Sequence, residues 1–319
     1  MGSSSRKKII GLAGLLVLAG CSRSNAYRQD QNPASSGNAA AERGYSTSRI
    51  ESMGQPRKRV IVFDFWNDTP NKANELGEFG ADELRRYLHQ TQRVIVPTDI
   101  KAKLATEEFI QGDKVRVSQL IREGRKLGVA VMVIGRMSRS IFRQRGDEVG
   151  LLRQKQSLAG VDIELKIFDV AGGREIMAIA KSGDSSTNTL VALDPNNTSG
   201  PEFRTEMLKM AVRNAVEQTV PEILKSVEKL GWEGRIAKIS SGKVFVNAGK
   251  ASGLVPGDIL RVLTQGDDIY DPVTGAYLGR SAGQVKGTLE VLDFIGPDGA
   301  VSEIHTGSNF QEGDAIRLY

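Results

Sequence analysis

With 319 residues, 39% of them hydrophobic and 25% charged, the chain has an ordinary globular composition and room for about two domains of roughly 100–200 residues each. Its 43 Lys and Arg against 38 Asp and Glu leave a net charge of +5, too small and too evenly spread to indicate nucleic-acid binding. A single cysteine excludes any intramolecular disulfide.

That cysteine is informative by position. Arg6, Lys7 and Lys8 form a positive start, and residues 9–18 follow as an apolar run. The run is about half of the ~20 residues that a membrane-spanning helix needs, so it predicts a cleaved signal peptide over residues 1–20. Leu18-Ala19-Gly20-Cys21 resembles a lipobox. Its small residues admit the backbone to the signal peptidase, and the Cys21 thiol receives the diacylglycerol. Two or more acyl chains anchor a protein stably where one is marginal. Ser22, rather than Asp, follows the cysteine, which leads us to expect the periplasmic face of the outer membrane. Residues 21–56 are rich in Ser, Asn, Gln, Ala and Arg without helical or strand period. They read as a disordered tether with a root-mean-square reach of about 35 Å.

Order is expected from residue 59. Val60-Ile61-Val62-Phe63-Asp64-Phe65 reads as a buried strand, ended by Asn67-Asp68-Thr69-Pro70. Leu76, Phe79, Gly80, Leu84, Tyr87 and Leu88 recur at helical spacing. Residues 93–96 read as a second strand. Thr98 is a cap for a helix carrying Ile100, Leu104 and Phe109; Ser118 caps another with Leu120, Ile121 and Leu127, stopped by Gly128. Residues 129–135 form a third buried strand. Val161, Ile163, Leu165 and Ile167 alternate with polar residues, the mark of a half-buried strand, and Ala171-Gly172-Gly173 turns it into a partner near Glu175. A polar stretch, 182–201, leads to a long amphipathic helix through Phe203, Met207, Ala211 and Val216, which Pro221 is expected to kink or restart.

After Gly231 the texture changes to short β segments: 235–239, 243–247, 259–263, 287–292, 300–305 and 315–318. Gly257-Asp258 and Gly313-Asp314 each precede a strand, as tight turns do. A small barrel or sandwich is expected, with a domain boundary near Leu230. The fold class is therefore α/β, a mixed sheet with helices over 57–230, followed by a small all-β barrel domain over 231–319.

The segment 59–67 (Arg-Val-Ile-Val-Phe-Asp-Phe-Trp-Asn), the 128–135 strand and the 161–170 strand with Gly172-Gly173 and Arg174-Glu175-Ile176 resemble the CsgG family of outer-membrane lipoproteins. The penicillin-binding-protein activators and the TolB N-terminal domain share that general fold. Gly242-Lys243-Val244, Gly253-Leu254, Gly257-Asp258 and Asp271-Pro272-Val273-Thr274-Gly275 are similar to the C-terminal domain of the flagellar protein FlgT. The resemblance implies a CsgG/TolB-N-like sheet and a role in export or envelope assembly, often as a homo-oligomeric ring. In that family two hairpins per subunit build a membrane barrel. Here the corresponding stretches, 139–153 and 182–201, are polar on both alternate sets, unlike lipid-facing strands of ~9–11 residues. Surface or subunit-contact hairpins are expected instead of a pore.

Chemistry-bearing residues are few. His89 and His305 have no nucleophile or metal-ligand spacing around them. Gly249-Lys250-Ala251-Ser252 departs from the phosphate-loop pattern in its glycine spacing and lacks the hydroxyl after Lys. Asp267, Asp268 and Asp271 lack the spacing of a calcium loop. Phe63, Phe65 and Trp66 read as core and strand-end packing. The densest basic segment, Arg139, Arg143, Arg145, Arg153 and Lys155, is a candidate interaction hairpin for lipid phosphates or an acidic partner, or a solvated face. No catalytic residue, metal or cofactor is assigned; the covalent group expected is the lipid on Cys21. The partners expected are the outer membrane, further copies of the chain and an envelope secretion or appendage machine, with no nucleic acid. The alternatives are a tethered regulator of a periplasmic enzyme and a flagellar-ring accessory protein.

Overall fold

Five strands make the mixed sheet around which the first half of the chain is built. A computed structural model describes residues 55–70, 74–97, 106–111, 114–146, 154–190 and 200–319. The predicted signal peptide, Cys21, the tether and Arg153 lie outside the described residues, as does the Thr98 helix start. The sheet runs β1 (Val60–Val62), β5 (Val131–Gly146), β6 (Gln154–Asp169) and β7 (Arg174–Leu190), with β2 (Trp66–Asn67) also on β5. β1 and β2 lie parallel to β5, whereas β5, β6 and β7 are antiparallel.

The predicted strand over 60–65 is broken. Arg85, from helix α1 (Asn74–Gln90), donates to the Val62 carbonyl at 2.7 and 3.1 Å and pairs with Asp64 at 2.7 Å. The guanidinium caps a carbonyl on the edge turned away from β5, and the Phe65 N–H goes to the Gly77 carbonyl of α1 at 3.3 Å and not to β5. Phe65 then lies over Gly135, where a Cβ would strike its ring. The predicted strand at 93–96 shrinks to a single parallel bridge between Arg59 and Ile95. Pro97 follows and brings no N–H to extend it. Thr106–Phe109 form a 3-10 turn, leading into the two-residue strands β3 (Ile110–Gln111) and β4 (Lys114–Val115). Helix α2 (Val117–Leu127) begins one residue before Ser118, and no side chain caps it. Its end is as expected: Gly128 takes the left-handed conformation, φ 70°.

The two sheet faces carry separate cores. α1 and α3 (Pro201–Glu228) cover one, burying Leu84, Leu88, Ala211, Val212 and Ile223 against Val131, Val133, Ile163 and Leu165. α2 and the 3-10 turn cover the other, where Leu120, Ile121 and Phe109 meet Met132, Ile134 and Phe168. α3 is one helix with Pro221 inside it, not two. The ring is on the exposed side, while Val220, Ile223, Leu224 and Val227 keep both halves on the sheet, so tertiary packing overrides the lost backbone bond.

The second half closes a six-stranded barrel in the order β10 (Ile259–Leu263), β13 (Val285–Ile295), β14 (Gly299–Gly307), β9 (Lys243–Val246), β8 (Gly234–Ser240) and β15 (Ala315–Leu318). Closure removes the free edges that short strands would expose. Both Gly-Asp motifs fold as expected. Gly257 and Gly313 have φ near +90°, and each Asp accepts from the N–H three residues earlier, Val255 at 2.8 Å and Gln311 at 2.7 Å. Sequence pattern missed the hairpin β11 (Asp268–Tyr270) and β12 (Tyr277–Arg280), which leans on the β6–β7 turn. A Cβ on Gly173, φ 66°, would meet the Tyr277 hydroxyl.

Candidate functional site

Strands β5, β6 and β7 run 16, 16 and 17 residues, about 50 Å at ~3.3 Å per residue. β1 and β2 stop at Met137. Beyond it, a three-stranded extension continues: 139–146 pairs with 155–162, and 154–162 with 182–190. The expected hairpin at 139–153 is therefore the far end of β5 and β6, with its tip, 147–153, outside the described residues. The polar stretch from 182 is not a connecting segment up to residue 190. It is the second half of β7, and 191–199 lie outside the described residues.

Helix α3 explains why such a polar sequence forms a strand. Gly183 lies so close beneath it that a Cβ would strike the Ala211 carbonyl. Ser185 donates to the Met207 carbonyl at 2.7 Å. Asn214 and Gln218 donate to the edge carbonyls of Asp184 (2.8 Å) and Ser182 (3.1 Å). The helix thus hydrogen-bonds the outer edge of β7 and blunts it. Phe142 completes the covered face, edge-on to Phe203 at 6.3 Å with Arg204 at 5.1 Å from its ring.

A bulge decides what the opposite face carries. The β5–β6 register shifts between Met137 and Arg139. Since one inserted residue exchanges the two faces, Phe142 goes under α3 while Arg139, Ile141, Arg143 and Arg145 go to the other side. Their cross-strand partners there are Asp162, Gly160, Leu158 and Gln156. Arg139 sits 3.5 Å from Asp162; Arg143 and Arg145 are exposed and in no ion pair among the described residues. Lys155 pairs with Gly146 and Thr189, so it lies on the α3 side. The structure brings three of the five basic candidates together on the face opposite α3 and separates Lys155 from them. Past Met137, no described strand pairs with the outer edge of β5.

The remaining candidates stand apart. His89 ends α1 and His305 lies in β14, both exposed. The loop 249–252 is filled by the chain's own carboxylate: Asp298 accepts from the N–H groups of Gly249 and Ser252, both at 2.8 Å, and from the Ser252 hydroxyl at 2.7 Å. Arg59 reaches the same carboxylate at 2.9 Å. Burial works to raise the Asp298 pKa, but the bonds from Ser252, Arg59 and Gly249 outweigh it and hold it below the usual carboxylate range. Asp271 accepts within its own turn, from Val273 and Thr274. Asp268 binds Arg125 through both oxygens, at 2.9 and 3.0 Å. Among the described residues no group of His, Cys, Asp and Glu is arranged to hold a metal, and no helix is long and apolar enough to cross a membrane. Sequence reasoning missed the role of Asp298 and of Asp268, because their partners Arg59 and Arg125 are 239 and 143 residues away.

No protein-family model matches the chain, and no curated protein matches it. Among solved structures it is similar to the hypothetical protein CT253 from Chlamydia trachomatis, at 12% identity over 54% of this chain and 98% of that one, TM-score 0.34. It is also similar to lipoprotein GNA1162 from Neisseria meningitidis, at 13% identity over 53% and 99%, TM-score 0.25. A third is the PelC dodecamer from Paraburkholderia phytofirmans, at 11% identity over 55% and 91%, TM-score 0.30.

Proposed function

We propose that the chain is a non-enzymatic lipoprotein, anchored through Cys21 at the periplasmic face of the outer membrane, that acts as a CsgG-like scaffold for an envelope secretion or appendage machine. Copies join into a ring through the three-stranded extension. The observation that carries this reading is the extension itself. One face is covered by α3, the other carries Arg139, Arg143 and Arg145, and no described strand pairs with the β5 edge. The lipobox Leu18-Ala19-Gly20-Cys21 supports the anchor. Neither face of the extension is apolar outward, which favours a scaffold over a lipid-facing barrel. The barrel of the second half, FlgT-like by its Gly-Asp turns, is the surface that meets the partner machine. The two separated histidines and the self-filled 249–252 loop support a role without catalysis or cofactor.

The test is negative-stain electron microscopy of the full lipidated chain extracted in mild detergent. Closed rings of uniform diameter are expected, dispersed by Arg143→Glu with Arg145→Glu at unchanged melting temperature. Single particles from wild type, with no cross-linked species in intact membranes, would overturn the ring. That outcome would favour the tethered-regulator reading, which the long segment between Cys21 and the first strand also suits.

A further inference from the structure

Between the barrel and the α/β layer lies a cavity of about 50 Å³ lined by Arg125, Arg235, Arg280, Arg317 and Glu233. A second cavity of about 40 Å³ shares Arg125, Arg235, Arg280 and Glu233 and adds Asp169. The cations there outnumber the carboxylates that pair with them. Arg125 and Arg280 share one carboxylate, Asp268, at 2.9 and 3.5 Å. Arg317 takes Glu233 at 2.9 Å. Arg235 is in no ion pair among the described residues, and its guanidinium donates only to the Arg125 carbonyl. Arg280 keeps 7% of its side chain exposed, and its Nε meets Asp268 only at the long distance of 3.5 Å, while the Nε of Arg125 is buried without a hydrogen-bond acceptor. Burial, with a neighbouring arginine in each case, lowers the pKa of Arg235 and Arg280, as an unneutralised cluster of cations does. Burial raises that of Asp169, so this carboxylate offers less compensation.

We infer that this cleft is an anion site for one tetrahedral oxyanion of the phosphate type, held by Arg235 and Arg280 where the barrel meets the sheet. Guanidinium groups bind such oxyanions with charge-assisted, often bidentate hydrogen bonds. The volume suits four oxygens, roughly that of three to five waters. A free phosphate and the phosphate of a glycerol monoester share this chemistry.

The full lipidated chain in non-ionic detergent is titrated with potassium phosphate at constant ionic strength set by chloride, reading the melting temperature. A saturable rise is expected in wild type, because a ligand of the folded state alone stabilises by mass action. Arg235→Gln leaves every carboxylate pair intact and is expected to bind phosphate about tenfold or more weakly. Arg280→Gln does the same if it folds; Arg235→Gln decides the matter if it does not. Saturation by glycerol phosphate as well would assign the site to a phosphomonoester, and saturation by inorganic phosphate alone to the free ion. A response no greater than that to chloride, or an unchanged midpoint in Arg235→Gln, would overturn the site.

Discussion

Two aspartates show how one residue type acts in opposite directions. Asp298 collects four donors, from Gly249, Ser252 twice and Arg59. Its folded pKa lies below the unfolded value of about 3.9, so the folded chain binds fewer protons. Its stabilisation is complete above the unfolded value and is lost as pH falls through the folded one. Asp298→Asn places an amide donor against donors and is expected to cost about 1–3 kcal/mol at pH 7. The gap to wild type should close in acid, as read by urea denaturation at pH 7 and pH 3. Asp169 is the reverse case. Burial raises its pKa, and the N–H groups of Gly172 and Ala171 and the charge of Arg174 only partly pull it back. The folded state therefore holds its proton more readily, and stability is lost as pH rises from the unfolded value through the folded one. Asp169→Asn removes the buried charge and keeps an oxygen for the Ala171 N–H, now 3.1 Å from Oδ1, but sets its amide against the Gly172 N–H. Relative to wild type it is expected to gain stability between pH 3 and pH 7 in the same assay, since only wild type loses stability as its carboxyl ionises.

At the scale of elements, α3 carries a cost that its sheet offsets. Pro221 supplies no N–H for the Glu217 carbonyl and faces solvent, while its neighbours Val220 and Ile223 are core. Pro221→Ala restores the backbone bond without changing a buried contact, and is expected to stabilise by about 1–3 kcal/mol, measured as an upward shift in melting temperature. The same helix explains what the sequence did and did not reveal. Alternation was legible where one strand face is apolar, as in Val161 to Ile167, and the barrel strands were legible as short segments set off by Gly-Asp turns. It failed for 139–146 and 182–190, because the cover over these residues is built from a glycine contact and side-chain hydrogen bonds rather than from aliphatic packing. The basic candidates were legible as a cluster but not as a face. The bulge at Met137 sends Arg139, Arg143 and Arg145 outward, and no residue pattern announces it. The strand expected at 93–96 failed for a legible reason, Pro97, whose missing N–H stops the pairing after one bridge.

The whole molecule is held together across its two halves by polar links rather than by a shared apolar interior. The barrel core, around Trp232, Leu260 and Leu289, is separate from the clusters on the sheet. The joins include Arg59 to Asp298, Arg125 to Asp268, Arg235 to the Arg125 carbonyl, the Arg57 N–H to the Ser252 carbonyl at 2.7 Å, and Tyr277 against Gly173. Half-buried ion pairs of this kind add little when intact but are costly to break from one side. Asp268→Asn leaves Arg125 and Arg280 without their carboxylate and, combined with Arg59→Met, severs both of these ion-pair joins. The chain's two tryptophans report on the halves separately. Trp232 is buried in the barrel core, and Trp66 sits beside β5 with the Arg136 guanidinium 5.0 Å from its ring. In wild type, Trp66→Phe and Trp232→Phe versions should give the same denaturation midpoint, as a single cooperative unit does. In the double variant the Trp232 signal should be lost first, because the barrel, with the smaller core, loses the support of the sheet. Coincident midpoints in the double variant would mean that the contacts left intact, those of Arg57, Arg235 and Tyr277 among them, are enough to couple the two halves.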